Sequence, residues 1–191
     1  MSVSEGLVDV GGCRLWYWDT GGPGEAVVFL HAGSQSGAGW GHQQAAFAQA
    51  GFRAIGYSRR GCWRSERGDP DDPGVAAEDL ARVLDHCGVE RAHVVALALG
   101  AFYALDFALL HPARVRTLTI ASSYLGIAAS ETEYAQANAE LRPPAFDALP
   151  IEVKELHPSY RVENPEGVAA WLALSAQARN GPPVVAKRPG R

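Results

Sequence analysis

Little in this chain could staple, tether or export it. Its three cysteines, Cys13, Cys62 and Cys87, are odd in number and far apart. With no C-x-x-C pair and no Cys/His metal spacing, neither a disulfide framework nor a metal site is indicated, and free thiols in a reducing compartment are the expectation. No cofactor is expected. The opening Met1-Ser2-Val3-Ser4-Glu5-Gly6 has no basic start, apolar core or cleavage pattern, so it does not read as a signal peptide. No apolar run approaches the ~20 residues of a membrane span, which sets the expectation to a cytoplasmic protein without a membrane partner. Charge of one sign is missing too. A net charge of -4 is too mild to imply a general affinity for nucleic acid.

What is present suits a globular domain. The 191 residues are 47% apolar and 20% charged, enough for a single domain with a core of its own. Leu7 to Val10 and Cys13 to Trp18 read as two strands joined by Gly11-Gly12, a hairpin dipeptide. The second places Arg14, Trp16 and Trp18 on one face and Leu15 and Tyr17 on the other, the pattern of an antiparallel edge with one solvated side. Ala26 to Leu30 is apolar without alternation, as in a strand covered on both faces. It runs into the small-residue loop His31-Ala32-Gly33-Ser34, whose backbone can approach a ligand closely. Trp40 to Ala50 has helical spacing, closed by Gly51.

Phe52 to Tyr57 is the next strand. The loop behind it, Ser58 to Arg67, is dense in arginine. Taken alone it suits an anion or nucleic-acid contact. Glu66, Asp69, Asp71 and Asp72 in and behind it favour local pairing and solvation instead. Asp72-Pro73 reads as a helix start, and Leu80, Val83, Leu84 and Cys87 form an amphipathic stripe ending at Gly88. His93 to Ala98 is a strand, the helix after it runs to about His111, and Val115 to Ala121 is a further apolar strand. Strands alternating with helices in this way predict a parallel sheet in a three-layer α/β sandwich.

At the strand-to-helix junction the sequence reads Ala96-Leu97-Ala98-Leu99-Gly100. This is the layout of a nucleophile elbow, G-x-S-x-G, in which a strained corner lifts the central side chain above the sheet. Here the central residue is Ala98, and a methyl group cannot attack a carbonyl. The bland alternative is a buried strand feeding a crossover helix, with no site at all.

The chain from the first strand onward resembles the α/β-hydrolase superfamily. The carriers are the strand ending in His31-Ala32-Gly33, Arg60-Gly61-Cys62-Trp63-Arg64-Ser65 in place of R-G-x-G-x-S, the helix Asp79 to Cys87, the elbow, and Ala104, Pro112, Val115 and Leu118. Leu149-Pro150 to Trp171-Leu172 looks like the helical cap of the ester, lactone and carbon–carbon bond hydrolases in that superfamily. The resemblance implies a mostly parallel sheet with an antiparallel N-terminal hairpin and a partial cap, arranged as a core (1–123), a cap or lid (124–180) and a basic, disordered tail (181–191). It also implies oxyanion donors at the backbone N–H groups of Gly33 and Leu99, and a pocket lined by His31, Ala32, Ser34 and Leu97.

The departures from the family are Ala98 at the nucleophile position, Trp63 where the loop has glycine, and the lack of a later acid and histidine. His111 and His157 read as structural, Asp106 and Asp147 do not suit the role of the acid, and Ser122 and Ser123 read as lacking the strained, exposed geometry of an elbow. The expected C-terminal strand–helix units are missing, so the chain reads as a truncated or split form with an open last strand. Three functions follow. The first is an ester or lactone hydrolase scaffold, inactive with Ala98 as an acquired or introduced replacement of serine. The second is a pseudo-enzyme that binds a small ester- or lactone-like ligand or a partner, with the sheet completed by a second copy or another chain. The third is a serine-independent enzyme of the same fold.

Overall fold

In the computed structural model, residues 3–123, 133, 136–137, 139–140, 142 and 144–187 are described. Six strands form one sheet: β1 (Ser4–Asp9), β2 (Arg14–Asp19), β3 (Ala26–Leu30), β4 (Arg53–Tyr57), β5 (Ala92–Leu97) and β6 (Val115–Ala121), in the order β1-β2-β4-β3-β5-β6. β1 and β2 are an antiparallel hairpin, β2 runs antiparallel to β4, and the β4-β3-β5-β6 stretch is parallel. Its three main helices are α1 (Gly41–Gln49), α2 (Ala76–His86) and α3 (Gly100–Leu110).

Local sequence explains most of these elements. β3 is buried at every position, as a strand without polar alternation should be. α2 buries Leu80, Val83 and Leu84 completely, which is the stripe set by their i, i+3, i+4 spacing. At the centre Phe29 of β3 stacks on Trp18 of β2 with centroids 6.2 Å apart, and meets Trp40 at 5.0 Å and Phe47 of α1 at 5.1 Å. Burial of an aromatic side chain of this size contributes roughly 1.5–3 kcal/mol.

Two expectations change. β2 is not an edge with a solvated face. It lies between β1 and β4, and Leu15, Trp16 and Trp18 are all buried, so both faces are covered. Nor does α2 start at Pro73. It begins at Ala76, because Gly74 sits at φ +72° with the Arg60 guanidinium 2.5 Å from where a Cβ would lie. That left-handed turn seats Arg60, whose Nε and Nη2 bind both oxygens of Asp79 at 2.8 and 2.9 Å in a buried pair.

The chain divides into two compact units, 1–123 with 174–191, and 124–173. Within the second, the helices Pro144–Asp147, Ile151–Glu155 and Pro158–Glu163, and most of Pro165–Ala176, bury no described residue. Most of the helix expected from Glu131 to Leu141 falls outside the described residues. In the first unit, residues 177–187 return onto the core: the Trp63 N–H donates to the Ala178 carbonyl at 3.0 Å and the Lys187 N–H to Gly74 at 2.7 Å. Among the described residues, no helix is long and apolar enough to cross a membrane.

Candidate functional site

The junction of β5 and α3 is a strained corner. Ala98 has φ +49°, a left-handed conformation that costs a residue with a Cβ roughly 1–2 kcal/mol. Its N–H donates to Ala121 at the end of β6 at 3.0 Å, and its carbonyl accepts from Ala101 at 3.1 Å, so strand and helix are both anchored on it. Gly100 is forced by packing: a Cβ there would lie 2.6 Å from the Leu30 carbonyl oxygen and 2.8 Å from that of His31. The corner thus presses directly on the end of β3.

The loop after β3 faces this corner. A Cβ added to Gly33 would meet Leu99 Cδ2 at 3.3 Å and Leu99 Cβ at 3.6 Å. Among the described residues, neither the Gly33 nor the Leu99 N–H donates to a backbone carbonyl. Arginines hold the loop's carbonyl edge. Arg59 donates through Nη1 to the His31 carbonyl and through Nη2 to Ala32 at 3.1 Å, and Arg179 donates to Gly33 through Nε at 3.1 Å and Nη2 at 2.6 Å. In a trans peptide C=O and N–H point opposite ways, so fixing the Ala32 carbonyl turns the Gly33 N–H away from Arg59.

His31 is buried with both ring nitrogens engaged. Nε2 accepts the Arg59 N–H at 3.1 Å, which makes Nδ1 the protonated nitrogen that donates to the Ala32 carbonyl at 2.8 Å. Burial, and then the Arg59 charge, hold its pKa well below the ordinary range. It is neutral and fastens the loop to the segment that follows β4. Ala32 is buried beside it, Ser34 accepts from the Ser175 hydroxyl at 3.2 Å, and Leu97 pairs with Ala121. The remaining candidates are engaged elsewhere: His111 with Glu78 at 3.0 Å, His157 with Ser159 at 2.8 Å, and Asp106 buried within α3.

Ser122 corrects the sequence reading. It is exposed and has φ +52°, so a hydroxyl does stand in strained, accessible geometry one strand away from the elbow. No periodicity signals it. The arginine-rich loop also behaves differently from expectation. Its pairs are long-range, Arg60 with Asp79, Arg64 with Glu5 at 3.5 Å and Glu66 with Arg14 at 2.5 Å, while Arg59 and Arg67 have no carboxylate within 4 Å among the described residues. Trp63 packs edge-on against Trp16 at 6.4 Å and carries the Arg64 guanidinium 5.1 Å above its ring. The indole that replaces the slim glycine is therefore accommodated against β2. Arg59, Tyr103 and Arg179 were missed as site residues, and only the arginine density of the loop pointed towards any of them.

The alpha/beta hydrolase fold family matches residues 25–157, and the chain belongs to that family. A provisionally named carbamate hydrolase, RutD, of Azorhizobium caulinodans is 38% identical over 115 residues, 60% of this chain and 43% of that protein. A 2-hydroxy-6-oxononadienedioate/2-hydroxy-6-oxononatrienedioate hydrolase of Burkholderia vietnamiensis is 39% identical over 114 residues, 56% of this chain and 39% of its own length. Among solved structures, epoxide hydrolase A from Mycobacterium thermoresistibile is similar with a TM-score of 0.62 at 28% identity, covering 74% of this chain and 45% of that one. The chain spans about two fifths of the length of the curated relatives it matches.

Proposed function

We propose that this member of the alpha/beta-hydrolase family is a scaffold of the ester- or lactone-hydrolase type that binds a small carbonyl-bearing ligand at the β5–α3 corner without turning it over. The observation that carries this reading is Ala98. Its backbone has the left-handed twist of an elbow, yet its side chain offers no atom that can form the covalent intermediate. The adjacent Gly33 and Leu99, whose N–H groups make no backbone hydrogen bond among the described residues, support the binding half of the reading, since free backbone donors stabilise a carbonyl oxygen whatever side chain stands at the nucleophile position. The carbamate and the oxo-dioate in the relatives' names are both carbonyl compounds, which supports the same ligand class.

A serine at position 98 would still need a base to take its proton. His31 is neutral with both nitrogens occupied, so it cannot serve as one. Assay with activated aryl esters is expected to give no saturable turnover for the chain, and Ala98→Ser is expected to stay inactive and to react slowly with a fluorophosphonate probe. Saturable turnover by the unaltered chain would overturn the reading. Rapid, stoichiometric labelling of Ala98→Ser would reveal a base and make Ala98 the sole defect.

A further inference from the structure

We propose that Arg59 and Arg179, with the charge of Arg67 nearby, form an anion subsite beside the elbow that takes the carboxylate group of a ligand. This rests on the reading of the corner as a binding site and adds the chemical class of what it binds.

The three guanidinium groups come from two distant stretches of chain and converge on Gly61-Cys62. Arg59 and Arg179 hold the carbonyls of residues 31–33. Arg67 Nη1 donates to the Pro182 carbonyl at 2.8 Å and lies 3.3 Å from where a Cβ on Gly61 would stand. Arg179 is bridged to Cys62 through the backbone. Arg14, Arg53, Arg60, Arg64, Arg114, Arg116 and Arg142 each meet a carboxylate, whereas Arg82, Arg91 and Arg161, like the three here, have none among the described residues, so it is the convergence of the three and not the lack of a partner alone that marks the place. None of the three converging arginines has such a partner within 4 Å among the described residues.

Like charges gathered in a partly dry place repel, and more so as water is excluded. The groups acting on Arg59 show this: burial lowers its pKa and Arg179 adds to the effect, while Cys62, Tyr57 and Tyr103 oppose it, with no carboxylate among them. All three arginines also pull down the Cys62 thiol, against a larger upward push from burial. An anion would relieve that repulsion.

The space fits the group. A cavity of about 30 Å³ is lined by Gly33, Arg59, Cys62, Leu99, Tyr103 and Arg179. That exceeds the ~10–15 Å³ that one water requires but holds no whole substrate, so it suits a head group. The Tyr103 ring lies 5.3 Å from the Arg59 guanidinium carbon and braces it. Each guanidinium has five N–H donors, and the loop carbonyls use only some of them. Leu99 lines the cavity and directly follows Ala98, so the carboxylate would sit a few bonds from the carbonyl at the corner.

The test is a titration of the full chain, ¹⁵N-labelled, followed by the arginine Nε–Hε resonances and by thermal shift, with sodium acetate against sodium chloride at matched ionic strength. Acetate is expected to move the Arg59 and Arg179 resonances saturably where chloride does not. Monomethyl succinate should bind at least about tenfold more tightly than dimethyl succinate, the loss expected for a charge-assisted pair. If monomethyl succinate also exceeds acetate, the carboxylate belongs to the end of a larger ligand; equal affinities mean a free carboxylate, and both outcomes support the subsite. Arg179→Gln should weaken acetate about tenfold, Arg179→Lys should retain part of the affinity, and Arg14→Gln should change nothing. Should Arg179→Gln fail to fold, Arg67→Gln, at a half-buried position outside the cavity lining, is read in its place and should still weaken acetate by removing a positive charge beside the site. Unmoved resonances, equal effects of chloride, or unchanged acetate binding in the folded variants would overturn the proposal. Ester turnover reads the inertness of Ala98 separately, so a failed titration removes the subsite alone.

Discussion

β3 and β6 are both short, largely apolar parallel strands, and their fates in the fold are opposite. β3 lies between β4 and β5 and is buried at all five positions. β6 pairs with β5 alone among the described residues, and Arg116, Thr117, Thr119, Ile120 and Ala121 are exposed. The elbow touches both. Gly100 packs on the end of β3, and Ala98 donates its N–H to the last residue of β6. One wall of the corner is therefore set in the densest part of the core, and the other rests on the least covered strand. The corner thus draws its packing from the β3 side, through Gly100, and its cross-strand hydrogen bond from the β6 side, through Ala98.

The largest effect is expected at Phe29. Phe29→Ala removes a ring held among Trp18, Trp40 and Phe47 and is expected to cost about 3–5 kcal/mol, read as a drop in the urea midpoint. A cost below about 1 kcal/mol would mean that β3 is not the anchor.

The end of β3 should respond to acid. His31 titrates lower in the folded protein than its ordinary value, so between those two values the unfolded chain binds more protons than the folded one. The associated stability is present in full above the ordinary histidine range, about pH 6.5, and is lost as the pH falls towards the folded value. The slope is at most about 1.4 kcal/mol per pH unit for one proton. Unfolding free energies measured from pH 7.5 down to 5 should fall, and His31→Gln should flatten that fall. An identical slope in the variant would assign the acid sensitivity to other groups.

The smallest effect belongs to β6. Ile120→Lys, at an exposed site, is expected to shift stability by no more than about 0.5 kcal/mol. A loss of several kcal/mol in the isolated chain would show that this face is covered in solution, which would reverse the contrast between the strands.

Much of the fold could be read directly. The continuous apolar run of Ala26 to Leu30, the stripe of Leu80, Val83 and Leu84, and the alternation of strands and helices all depend on neighbours close in sequence. The misreadings have a common source. Trp16 and Tyr17 alternate like an edge strand, yet β2 is interior because β1 folds back on one side and β4 pairs on the other. Asp72-Pro73 has a helix-start sequence, but the Arg60–Asp79 pair needs Gly74 in a left-handed turn at that point.

The candidate site divides along the same line. The sequence by itself determined where the corner falls and that its central side chain is an inert methyl, because an elbow is a run of adjacent residues whose order is its geometry. Tertiary structure alone decided that His31 is locked neutral, that Ser122 shares the strained conformation of Ala98, and that Arg59 and Arg67 meet Arg179 across more than a hundred residues of chain. Charge partners are chosen by distance in space, and carboxylates adjacent in sequence, such as Glu66, were claimed by cations brought from elsewhere by the folded sheet.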